Sequence, residues 1–222
     1  GRSIVESFCS SLYSLGFYEE GGKFAARLLE LNNDSTYYFW GLVTVDLDLG
    51  DNNSALKTAL KIYGFDTNNL DNIYMLFYTY LYLRDFKAAY PLLQKYNEIM
   101  RQQGRKIEPD YLFGFVYQEI GRKEEADFHF EGTIKEMLKY IELNQPSVTC
   151  KAYITLAKIY SARDDKAKAL EYLKMVKDCM GFTIFRIKDF KYCTMFDNIR
   201  QEPGFAEYLK EAEFRYQKEH EK

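Results

Sequence analysis

The side chains able to carry acid–base, nucleophilic or metal chemistry are few, and their spacing does not suit it. The 222-residue chain has two histidines, His129 and His220. His129 stands between Phe128 and Phe130 and reads as a packing or surface residue, while His220 lies in a charged, solvated tail. Cys9, Cys150, Cys179 and Cys193 form no close pair, so neither a zinc site nor a disulfide framework is signalled. A reducing compartment is the default reading, and Cys179 and Cys193, with no base beside them, read as buried small hydrophobes rather than redox-active thiols. The motifs HExxH, GxSxG and GxGxxG are absent. The nearest phosphate-loop lookalike, GFYEEGGK (16–23), is one residue out of register and runs into Phe24 rather than Ser or Thr. The acidic pairs Glu19–Glu20 and Glu124–Glu125 read as solvated first turns of helices, where negative charge favours the helix dipole. The expectation is a non-catalytic chain with no cofactor and no metal site.

Composition narrows what remains. The 30 Lys+Arg against 33 Asp+Glu leave a net charge of −3, without the basic surplus of a nucleic-acid binder. No apolar run approaches the roughly 20 residues that span a bilayer. With 17 Phe, 20 Tyr and one Trp the chain is too aromatic for a solvated coil. Only 4 Pro and 13 Gly interrupt it, which favours long helices over many short strands. A cytoplasmic location is the expectation from cysteine usage.

Periodicity then supplies the elements. GFYEEGGKFAARLLEL (16–31), GDNNSALKTALKIYGF (50–65), RDFKAAYPLLQKYNEI (84–99), GRKEEADFHFEGTIKE (121–136) and DDKAKALEYLKMVKDC (164–179) each open on a turn-like residue. Five residues on stands a small one: Gly21, Ala55, Ala89, Ala126 or Ala169, spaced by 34, 34, 37 and 43. Thirteen residues upstream lie Phe8, Leu42, Leu76, Phe113 and Leu156, and one turn later Leu12, Asp46, Tyr80, Tyr117 and Tyr160. This is the apolar face of a helix before each turn and another after it. Asp46 breaks the pattern, and Pro91 inside a predicted helix predicts a local kink or a frayed start.

The units, best seen in FGFVYQEIGRKEEADFHF (113–130) and LAKIYSARDDKAKALEYL (156–173), resemble the tetratricopeptide repeat (TPR) family. The resemblance implies an all-α right-handed superhelix, a TPR-like solenoid of five helix pairs. These lie at about 2–35, 36–69, 70–106, 107–149 and 150–183. Residues 184–222 are expected to form an irregular segment and a capping helix, with Phe205, Tyr208, Leu209, Ala212 and Phe214 as its apolar stripe. GFTIFRIKDFKYCTMF (181–196) reads equally as a helix or an irregular packing segment. The first unit shows no cap of its own, so more protein is expected before it.

In TPR proteins the first helix of each pair lines a concave surface that commonly holds a peptide. By that resemblance the residues off the packing stripe face the hollow. They are Tyr37, Trp40, Thr44 and Leu47 in the second unit and Tyr74, Tyr78, Leu81 and Tyr82 in the third. Tyr111, Phe115, Gln118 and Glu119 follow in the fourth, flanked by Glu6, Ser10 and Tyr13 in the first and Ile154, Lys158 and Ser161 in the fifth. The Lys/Asn pattern by which some members clamp a C-terminal carboxylate is missing. The expected function is protein–protein interaction, as a scaffold or recognition module. Its partner-binding residues would be Tyr37, Trp40, Thr44, Tyr74, Tyr78, Tyr82, Tyr111 and Phe115. Three other readings stand beside it. The rings could simply pack against each other. FDNIRQEPGF (196–205) resembles the closure of arrays in bacterial signalling and transcription-regulating proteins, which implies a sensor domain. Exposed aromatics could also support homo-oligomers.

Overall fold

The computed structural model describes residues 8, 11–12, 17, 20–24, 27, 35–143, 146–176 and 184–220. Among these there is no strand, and the fold is all-α. The helices are α1 (Ser35–Leu49), α2 (Asn52–Phe65), α3 (Leu70–Tyr82), α4 (Phe86–Gln102), α5 (Tyr111–Glu119), α6 (Lys123–Glu142), α7 (Pro146–Ala162) and α8 (Lys166–Val176). They are followed by α9 (Ile184–Tyr192), a 3-10 turn (Thr194–Phe196) and α10 (Pro203–His220). Neighbours in sequence pack as pairs: α1 on α2, α3 on α4, α5 on α6, α7 on α8. Linkers of two or three residues between packed helices leave only the antiparallel arrangement.

The repeat is written into the backbone of its turns. Phe17, Asp51, Asp85, Arg122 and Asp165 each donate their N–H to the carbonyl five residues back, on Leu12, Asp46, Tyr80, Tyr117 and Tyr160, at 2.8–2.9 Å. The carbonyls of the same five residues accept the N–H of Gly21, Ala55, Ala89, Ala126 and Ala169. One helix thus closes in a Schellman-type stop where the next begins. The stop needs a left-handed residue, which is Gly50 (φ 78°), Arg84 (59°), Gly121 (80°) or Asp164 (61°). Asp51, Asp85 and Asp165 then cap the next helix by accepting N–H groups of Ser54, Ala88 and Lys168.

The small residues five positions into each block are buried in all five units. Gly114 shows why size matters there. A Cβ at this position would stand 2.9 Å from the Phe130 ring and 3.1 Å from His129 Cβ, so its absence sets how closely α5 and α6 approach. Pro91 lies inside α4, which nonetheless starts cleanly on its Asp85 cap rather than fraying. Pro91 and Lys87 are exposed, so the carbonyl that loses its intrahelical donor faces water.

The described residues divide into two compact units. One runs through Ile107 and takes back 184–192; the other holds 108–176 and 193–220. In the first, α1 packs on α2, α3 and α9, and α3 on α4. The segment left open between helix and irregular chain is therefore the helix α9, then a 3-10 turn. Ile187 and Phe190 of α9 are buried, and Asp189 accepts the Tyr82 hydroxyl at 3.1 Å.

In the second unit α5 packs on α6 and α7, α6 on α7, α7 on α8 and the 3-10 turn, and α8 on α10. The FDNIRQEPGF stretch closes it. Phe196, Ile199 and Phe205 are buried, Asn198 donates to the Ser161 carbonyl at 3.0 Å, and Lys166 pairs with Glu202 at 2.8 Å. Along α10, Phe205, Tyr208 and Ala212 are buried but Phe214 is 61% exposed. It lies nine residues from Phe205, half a helical circumference away, so it does not belong to the stripe.

Candidate functional site

Four of the rings singled out by sequence meet in the first unit. Trp40 comes from α1, and Tyr74, Tyr78 and Tyr82 follow at four-residue intervals along one face of α3. Trp40 lies 6.3 Å from Tyr74 at an interplanar angle of 30°, and 6.4 Å from Tyr78. Tyr78 and Tyr82 are closer still, at 4.7 Å. All four are half-buried: they pack on each other and keep part of their surface open. The row is seated on the buried Phe77, whose ring is 5.8 Å from Tyr74.

Two further partners were not legible in the sequence. Tyr96 reaches the row from the second helix of its pair, 6.2 Å from Tyr74. Asp189 reaches it from α9, holding the Tyr82 hydroxyl and so fixing the ring at that end. The only hint of Asp189 is its place in an aromatic-rich stretch, since its contact spans more than a hundred residues.

The remaining candidates divide differently. Tyr37 lies on α1, with its side chain outside the described residues. Thr44 is half-buried, and its hydroxyl donates to the Trp40 carbonyl at 2.9 Å, so it serves its own helix. Tyr111 is half-buried in the second unit. Phe115 is 4% exposed and offers no surface in this arrangement. The physical reason is that α5 is apolar on every side: 112–117 are all buried, and a helix without a polar face gives no periodicity from which to choose a direction. Leu47, Leu81, Lys158 and Ser161, also read as inner-face residues, are buried. Glu6, Ser10 and Tyr13 lie outside the described residues.

The second unit holds a half-open cleft of about 490 Å³ where the start of α5, the far half of α6 and the start of α7 converge. Tyr111, Met137 and Tyr140 supply apolar wall, and Glu136, Lys151 and Thr155 polar groups. The Tyr140 hydroxyl donates to Glu136 at 2.7 Å, which raises the pKa of that phenol. Behind the cleft His129 is buried, its Nδ1 accepting the Asp110 N–H at 3.0 Å. Nδ1 must be unprotonated to accept, so the ring is neutral with its proton on Nε2. Burial among Tyr117, Phe113 and Phe128 lowers its pKa from 6.5 to about 4. His129 is thus a packing residue and a backbone acceptor. Among the described residues no group of three His, Cys, Asp or Glu could hold a metal ion, and no helix is long and apolar enough to cross a membrane. Neither a protein-family model nor a curated protein matches the chain.

Proposed function

We propose that this chain is a TPR-like interaction module whose first unit binds a segment or helix of a partner protein along the row Trp40, Tyr74, Tyr78 and Tyr82. The observation that carries this is the row itself: four large rings, each within 6.4 Å of another, half-open, on two first helices of neighbouring pairs. Rings in such a row are held by their neighbours, so little side-chain entropy remains to be lost on binding. Tyr and Trp add a polar edge for a backbone group of the partner. Support for the TPR-like reading comes from the five equivalent turns and from first helices that pack on each other, α1 on α3 and α5 on α7.

The test is capture of partners from cell extract by the intact chain and by the double substitution Trp40→Ala with Tyr78→Ala. Truncating two central rings is expected to weaken capture at least 100-fold, since such anchors contribute about 2 kcal/mol or more each, while far-ultraviolet circular dichroism keeps its helical amplitude. Undiminished capture by a folded double variant refutes the groove.

A further inference from the structure

The ring row of the first unit already has a neighbour from far along the chain. The described residues on either side of α9 belong to the second unit, yet 184–192 belongs to the first. Nine residues are too few for a helix that sustains itself in water, so the order of α9 comes from what it rests on. It is a member of none of the helix pairs. Its main helix contact among the described residues is α1, which carries Trp40, and that packing is slight beside the packing of α1 on α2. Both helices of the row complete their own pairs, α1 with α2 and α3 with α4, so exchange of α9 for another helix leaves the hairpins intact.

Three side chains seat it. Ile187 and Phe190, three residues apart and so on one face, are buried. Asp189 accepts the hydroxyl of Tyr82, the last ring of the row, at 3.1 Å. Lys188 and Lys191 stay half-open and Tyr192 is exposed, with the Lys188 ammonium 5.7 Å from the Tyr192 ring. α9 is therefore a short amphipathic helix laid against a first helix by two apolar anchors and one carboxylate. A partner helix enters a groove in the same manner.

We propose that α9 is an internal occupant of the Tyr82 end of the row, and that the partner segment is a helix of the same kind, which takes its place. That helix carries two apolar residues three apart and a carboxylate immediately before the second, as Ile187, Phe190 and Asp189 do. The α9 contact is then autoinhibitory. Only chains whose α9 has lifted accept the partner at this end, and its apparent affinity is reduced by that fraction. The inference rests on the partner-binding reading above and supplies the occupant of the row and its control.

The probe is a fluorescein-labelled peptide of residues 184–192, IFRIKDFKY, titrated into the full chain and into its Phe190→Ala variant. Anisotropy follows binding and circular dichroism follows folding. Loss of the Phe190 anchor frees the seat, so the peptide is expected to bind the variant roughly tenfold or more tightly than the intact chain. In the variant background Tyr82→Phe is expected to weaken binding several-fold, and to leave unchanged the binding of a peptide carrying Asp189→Ala. Where Phe190→Ala does not fold, Asp189→Ala in the chain replaces it, since it removes the Tyr82 contact without emptying the core; the expected gain is then about threefold. Equal binding to the intact chain and to the loosened variant overturns the proposal. So does no binding to a folded variant, or a Tyr82→Phe effect that persists without the peptide's carboxylate. The two readings fail separately. If the peptide does not bind while the Trp40/Tyr78 double variant loses capture, the internal occupant falls and the groove stands. If the peptide binds as described while that double variant captures normally, a helix seat exists but partners do not use the row, and the autoinhibitory role falls.

Discussion

At the scale of single residues, function-like types turn out to be structural for identifiable reasons. His129 is a buried imidazole, and its Nδ1 is spent on accepting the Asp110 N–H. Its lowered pKa makes it a pH-dependent weak point. The unfolded chain takes up the proton near 6.5 and the folded chain near 4, so the stability gained from neutral His129 is complete above pH 6.5 and is lost as pH falls toward 4. Between pH 7.5 and pH 5 this amounts to about 2 kcal/mol. Urea unfolding at the two pH values should show that excess loss, and His129→Phe should not. Gly114 makes the complementary point about volume. Gly114→Leu has no room beside Phe130 and is expected to destabilise by about 3 kcal/mol in the same measurement. Both residues stand out in the sequence, His129 as a rarity and Gly114 as half of a large–small pair. Their roles needed coordinates, because hydrogen-bond acceptance and close approach belong to pairs of residues.

At the scale of elements, the turn is the conserved unit within the chain. The same two backbone bonds recur at five places, and they recur because one left-handed residue and one cap residue stand at the same phase. Glycine fills the left-handed position at 50 and 121, but Arg84 and Asp164 fill it elsewhere against their steric preference. Asp164→Gly and Arg84→Gly are therefore expected to raise stability slightly, by about 0.5–1 kcal/mol each, partly offset by the looser unfolded chain. Thermal unfolding followed at 222 nm measures it, and a lowered midpoint would contradict the account. Helix phase was legible wherever a polar face alternates with an apolar one. It failed for α5, where Phe115 is as apolar as its surroundings, and for Phe214, whose distance from the stripe places it on the far side of α10.

At the scale of the molecule, the chain passes between the two units more than once: 184–192 returns to the first unit after α5–α8 of the second, and 193–220 then belongs to the second again. Phe190, in the returning segment, is fully buried, so Phe190→Ala is expected to cost about 3–5 kcal/mol. Amide exchange should accelerate in 35–107 more than in 108–176; equal acceleration would show that α9 does not support the first unit alone. Such a return cannot be read from periodicity, because IFRIKDFKY carries no mark of which distant surface it meets. Local pattern by itself determined the helices, their turns and the small residues at their crossings, since each depends on neighbours within a few positions whose spacing the helix fixes. Only the tertiary structure decided which rings share a surface and where α9 goes. Those outcomes depend on contacts between residues far apart in sequence, whose geometry is set when the pairs pack.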